Sequence, residues 1–130
     1  MRLIIASLAL LETAAAAHPA PLTIRTGESW VFTVQKGEPA NARKVDAQAK
    51  PAKGELMVTL RALFGTNMIM TNNSSTPYTY RAELFVGGKP SAARTCALPA
   101  NAEPTLEQWP QKADAIRIGS FKPTGPGGHC

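Results

Sequence analysis

The side chains in this chain suited to more than ordinary surface charge are two imidazoles, His18 and His129, two thiols, Cys96 and Cys130, and the thioethers Met68 and Met70. Imidazole suits Cu(II) and thioether suits Cu(I). A mature chain starting at His18 would present an α-amine and an imidazole that chelate copper together, with His129, Met68 and Met70 as further ligands. The two cysteines point to a covalent tie instead. In an oxidising compartment an even count makes one intramolecular disulfide, Cys96–Cys130, the expected state. The loop it closes has about 35 residues, for which the chain-entropy model gives roughly 3.8 kcal/mol. Its role would be to hold a Pro/Gly-rich tail, and the alternatives for Cys130 are an intermolecular bond or a metal ligand beside His129.

Catalytic patterns are missing. A nucleophile needs a base held against it, and both histidines lie near the chain ends. The sequence contains no Gly-x-Ser-x-Gly, His-Glu-x-x-His or Gly-x-x-x-x-Gly-Lys, the arrangements that build a nucleophile elbow, a zinc site or a phosphate cradle. Glu28, Glu38, Asp46, Glu55, Glu83, Glu103, Glu107 and Asp114 are dispersed, without the pairing that glycoside hydrolysis uses. The expectation is a noncatalytic protein that needs no cofactor, copper being the alternative.

Location is read from residues 1–17. Arg2, the apolar run 3–11 and the alanines 14–17 fit a signal peptide cut within 14–18. A buried N-terminal helix is the competing reading. The run is shorter than the roughly 20 apolar residues of a membrane span, so the expected location is periplasmic or secreted, with no transmembrane segment after cleavage. The chain carries a formal charge of +5, but its longest basic run is the Arg43-Lys44 pair. Basic side chains dispersed in this way do not make the stripe that nucleic acid requires, although acidic envelope polymers or lipid headgroups remain suitable partners.

These side chains must be placed by strands. Residues 18–21 are Pro-rich and read as a linker, and 22–130 as one domain. Period-two alternation marks strands over 22–26, 30–35, 55–63, 66–72, 78–86, 89–97 and 115–121, where Ile116, Ile118 and Ser120 are expected inside. Residues 36–54 form a polar connection holding a short edge strand over 43–47. A helical turn anchored by Leu106 and Trp109 is expected over 103–110. Gly87-Gly88 fits a tight hairpin, and 72–77 a turn of residues that bond their own backbone. Tyr78 and Tyr80 should pack beside Leu84, with Trp30 and Trp109 as core or core-edge anchors.

About seven short strands at this spacing predict an all-β, single-domain antiparallel β-sandwich of immunoglobulin-like type, a small barrel being the alternative. The expected function is that of an exported binding or structural module recognising a protein, in the manner of an inhibitor, or a cell-envelope component. Its contact surface would be the 36–54 connection and the 72–77 turn, with Arg43, Lys44, Asn72 and Asn73 at the centre. A secreted sandwich with His18 at its N-terminus also resembles, in outline, periplasmic copper-binding proteins and copper-dependent polysaccharide monooxygenases. That resemblance implies a copper site on His18.

Overall fold

The structure, a computed structural model, describes residues 18–126. Alternating apolar residues form nine strands: β1 (Leu22–Arg25), β2 (Ser29–Gln35), β3 (Glu38–Val45), β4 (Leu56–Ala62), β5 (Thr66–Asn72), β6 (Tyr78–Val86), β7 (Lys89–Ala93), β8 (Thr105–Trp109) and β9 (Ala115–Pro123). They pair antiparallel in a four-stranded sheet, β1-β9-β6-β7, and a five-stranded sheet, β3-β2-β4-β5-β8. The two sheets enclose one core as a β-sandwich. The immunoglobulin-like order is not confirmed: β1 pairs with β9 in one sheet, whereas β2 lies in the other. Among the described residues no helix is long and apolar enough to cross a membrane.

Three expected elements need correction, as does the inward place expected of Ser120. The first half of the polar connection 36–54 is instead a tight hairpin followed by a full strand, and residues 46–55 remain an irregular connection. Lys36 and Gly37 have φ of 53° and 80°, the left-handed pair that a two-residue type I′ turn requires. Thus β3 starts at Glu38 rather than residue 43, and Pro39 is accommodated because β3 is a sheet edge. The helical turn over 103–110 is strand β8, paired with β5 from Thr66↔Trp109 to Met70↔Thr105. That pairing puts Trp109 toward the core and leaves Leu106 on the opposite face, so the two do not act as one anchor. The strand expected over 89–97 stops at Ala93, and Leu98 returns to β6 in a single antiparallel bridge with Tyr78, at 2.7 and 3.0 Å.

The core follows the inward halves of the alternations. Phe32, Leu56, Val58, Leu60, Met68 and Met70 of one sheet face Ile24, Ala82, Leu84, Ile116 and Ile118 of the other. On β9 the alternation breaks at Ser120. Thr79 pairs with Lys122 but Arg81 with Gly119, so β9 carries an extra residue, a bulge with Ser120 at φ 53°. Phe121 therefore takes the inward place expected of Ser120. Its ring meets Phe32 at 5.7 Å, Tyr78 edge-on at 5.8 Å and Tyr80 stacked at 5.3 Å. Residues 18–21 are held rather than loose, since Ala20 N–H donates to the Pro39 carbonyl at 3.0 Å.

Candidate binding groove

The outer face of the five-stranded sheet is less polar than a solvent face requires. Register places Ser29, Thr59, Ile69 and Leu106 in one cross-strand row, and Val31, Met57 and Thr71 in the next. Met57 and Thr59 are only 8% exposed although they point away from the core. What covers them is chain: residues 47–51 on one side and 102–104 on the other leave a groove of about 410 Å3 over Met57, Thr59, Ile69 and Thr71.

Two adjacent asparagines pin both walls. Asn73 Nδ2 donates to the Pro51 carbonyl at 3.0 Å, and the Asn73 carbonyl accepts from Gly54 N–H at 2.7 Å. The Asn72 carbonyl accepts from Ala102 N–H at 3.0 Å, on the opposite wall. The Asn72 side chain is wholly buried and occupied: Nδ2 donates to Thr76 O, and Oδ1 accepts from the Ser74 amide and hydroxyl. Of the contact residues expected from sequence, Asn73 lines the groove and Asn72 fixes its frame.

Arg43 and Lys44 sit on the β3 edge, each in an ion pair. Arg43 Nη1 lies 2.8 Å from Glu55 Oε2, whose other oxygen accepts from Ala52 N–H at 2.8 Å. The Arg43 guanidinium first, and that amide second, hold the Glu55 carboxyl below its ordinary range. Glu28 is lowered further, to about 2, chiefly by the Arg25 N–H and then by the Trp30 indole and the Lys44 ammonium, 3.1 Å away. Glu55 thus buttresses the first wall while its charge is taken up by Arg43. The groove itself is lined by Lys50 and Arg61 and by no carboxylate.

A second concavity, about 450 Å3, lies on the outer face of the four-stranded sheet around Gly119. Its Arg117 is already neutralised by two hydrogen bonds to Glu83 Oε1, at 2.7 and 2.9 Å, and lies 5.1 Å from the Phe85 ring. Arg81 also lines this concavity, but so does the Glu83 carboxylate; the first groove, with no carboxylate among its described lining residues, is the stronger candidate for an acidic ligand.

The remaining sequence candidates are scattered. Met68 and Met70, expected as further copper ligands, are wholly buried core side chains, so an ion would have to enter the sandwich to reach them. His18 is exposed, and among the described residues no group of three or more His, Cys, Asp or Glu could hold a metal. His129 and Cys130 lie outside the described residues. Cys96 stands between the sheets, its N–H donating to Glu107 Oε2 at 2.6 Å and its Sγ 3.8 Å from Oε1. Burial, with the Glu107 charge second, pushes the Tyr80 phenol far above its ordinary value, so it stays protonated. The hydroxyl of Thr59, at the groove floor, bonds that of Ser29 at 2.7 Å, and among the described residues no imidazole or carboxylate hydrogen-bonds to either.

Comparison of the chain with family models, curated proteins and solved structures gave no match. Function therefore has to be argued from the geometry alone.

Sequence reasoning missed the groove floor and Arg61. The signal was present: Met57 and Leu63 fall on the face of the 55–63 strand that should have met water.

Proposed function

We propose that this protein is an exported, noncatalytic binding module that takes a short acidic and partly apolar segment of a protein partner in the groove. The observation that carries this reading is a floor of Met57 and Ile69 with Thr59 and Thr71, flanked by Lys50 and Arg61, with no carboxylate among the described lining residues. A volume of about 410 Å3 lies in the range of ordinary ligand sites, about 300–1,000 Å3. Walls fixed by Asn72 and Asn73 lower the ordering cost of association. The reading keeps the protein in the class of inhibitor-like recognition modules, working in the periplasm or outside the cell.

The test is a display library of short peptides graded in charge and apolarity. Retention of acidic-apolar sequences, weakened about tenfold by Lys50→Glu and by Ile69→Asp but unchanged by Lys122→Gln, supports the groove; a tenfold loss corresponds to about 1.4 kcal/mol. Absence of enrichment, or retention indifferent to both groove substitutions, overturns it. Lys50→Glu is informative even if Ile69→Asp impairs folding, because Lys50 is exposed.

Export and a Cys96–Cys130 disulfide complete the proposal. Both are read from one intact-mass measurement of protein recovered from the cell envelope. A mass lacking the leader, rising by about two units on reduction, is the expected result.

A further inference from the structure

One end of the sandwich gathers exposed apolar side chains and basic ones with no ion pair among the described residues. Of the described large apolar side chains left exposed, three lie at one end of the sandwich: Leu63 at 60% and Phe64 at 99%, on the β4–β5 tip, and Val86 at 40%, on the β6–β7 hairpin. Loop 110–114 joins these tips. Gly65 rests on the backbone of Trp109 and Pro110. The Thr66 hydroxyl donates to Gln111 O at 2.7 Å and accepts from Ala113 N–H at 2.8 Å, while Asp114 N–H donates to Phe85 O at 2.8 Å and Asp114 Oδ2 accepts from Gly87 N–H at 3.2 Å.

The β4–β5 tip is built to project. Asn67 Nδ2 donates to the Leu63 carbonyl at 2.8 Å, and Asn67 Oδ1 accepts from Gln108 Nε2 at 2.8 Å. Phe64 is held at φ 52°, a conformation unfavourable for a bulky residue, with its ring in solvent. An exposed aromatic on a fixed, strained turn has no packing role in the fold, which directs attention to what it meets outside.

Charge identifies the occupant. Arg25, Arg61, Lys89 and Lys112 are all exposed at this end, and none forms a salt bridge among the described residues. The acidic groups here are Asp114 and Glu28, and the second is matched by Lys44. We infer that this end docks on a bilayer surface rich in anionic lipid, with Phe64 and Leu63 entering the headgroup region and the four cations facing the phosphates. A convex apolar tip needs a medium that yields around it, which a lipid interface supplies, and aromatic rings are favoured at that depth. Each basic side chain near an anionic surface adds about 1 kcal/mol, roughly a fivefold gain in partitioning.

The test uses the full chain and two sets of vesicles, phosphatidylcholine alone and phosphatidylcholine with phosphatidylglycerol. Phe64→Trp and, as a control elsewhere on the surface, Leu106→Trp report depth through quenching by brominated acyl chains, measured relative to the parent chain. Added quenching at position 64 and not at 106, on phosphatidylglycerol vesicles alone and abolished by high salt, is the expected result. It separates tip insertion from membrane attachment through residues 1–17, which would not place position 64 in lipid. Phe64→Ser should weaken this partitioning about tenfold, and Lys89→Gln with Lys112→Gln by about 25-fold, fivefold for each charge. Equal quenching at both positions, or none at 64, overturns the proposal. So does binding that follows the cations but ignores Phe64→Ser, which would mean a loose electrostatic association or a protein cleft as the true receptor of the tip. Arg61 borders both surfaces, but the substitutions at Lys89, Lys112 and Phe64 lie outside the groove lining and those at Lys50 and Ile69 lie outside the tip, so failure of one reading leaves the other untouched.

Discussion

Two side-chain environments decide how much single residues matter in this fold. Gly65 has φ of 108°, and a Cβ there would land on the Trp109 carbonyl oxygen. Gly88 has φ of 81°, and a Cβ there would meet nothing within 4 Å. Gly88→Ala should therefore cost only the backbone term, about 1 kcal/mol, whereas Gly65→Ala adds displacement of β8 and should cost clearly more. Urea midpoints of the two variants check this, and equal losses would mean that β8 gives way freely. Glu28 gives a pH-dependent counterpart. Its carboxyl is lowered from 4.5 to about 2 in the folded chain, so the charged form is favoured by folding. The stability it contributes is complete above the unfolded value and disappears as pH falls from about 4.5 toward 2. Glu28→Gln is expected to lower stability at neutral pH, by an amount that shrinks through that window and vanishes near its acid end. Denaturation series across the window measure the gap; a constant difference would sink the assignment.

Strands were more legible than the connections between them. In β2, β4, β5 and β6 large apolar residues recur every second position, and burial is the only strong force available to read such a pattern. Only the end of β3 was read, as an edge strand over 43–47; its start was hidden because Lys36-Gly37 lacks the Asn-Gly or Gly-Gly signature of a type I′ turn, and Pro39 disguised the strand. β8 was hidden because Thr105 to Trp109 has a helix-compatible composition; pairing with β5 overrides that preference, as tertiary context commonly does. Met68 and Met70 show the same lesson in the site. As residue types they suit a soft metal, but on β5 their positions alternate inward with Asn72, and position outranks chemistry. Met70→Ala should cost about 2–5 kcal/mol and Met70→Leu less than about 1.5 kcal/mol. Thermal unfolding of the two variants tests this, and a near-neutral alanine would contradict the burial of this side chain. The groove was half legible: Asn73 and the loop near residue 50 were expected contacts, but its floor becomes visible only once register sets Met57 beside Thr71 and Thr59 beside Ile69.

How firmly the two sheets are joined determines whether the molecule presents its surfaces as one rigid body. Backbone hydrogen bonds run mainly within each sheet and cross between them at few places, as where Phe121 N–H donates to the Gly37 carbonyl at 2.7 Å, so most of the union rests on side chains that meet in the middle, and Phe121 is central among these. Its ring touches Phe32 of the five-stranded sheet and Tyr78 and Tyr80 of the four-stranded sheet. It is seated there only because the bulge at Ser120 turns β9 by one residue. Phe121→Ala should therefore cost about 3–5 kcal/mol and raise amide hydrogen exchange in β2 as well as in β6 and β9. Leu106→Ala, removing a comparable apolar group from the outer face, should change neither stability nor exchange appreciably. If exchange in Phe121→Ala rose only in β6 and β9, the sheets would open independently. The groove would then keep its shape while the Val86 hairpin of the membrane-facing end lost its fixed relation to the Phe64 tip. Coupled exchange in both sheets is the expected result, because a ring packed from three sides cannot be removed without releasing its partners in both layers.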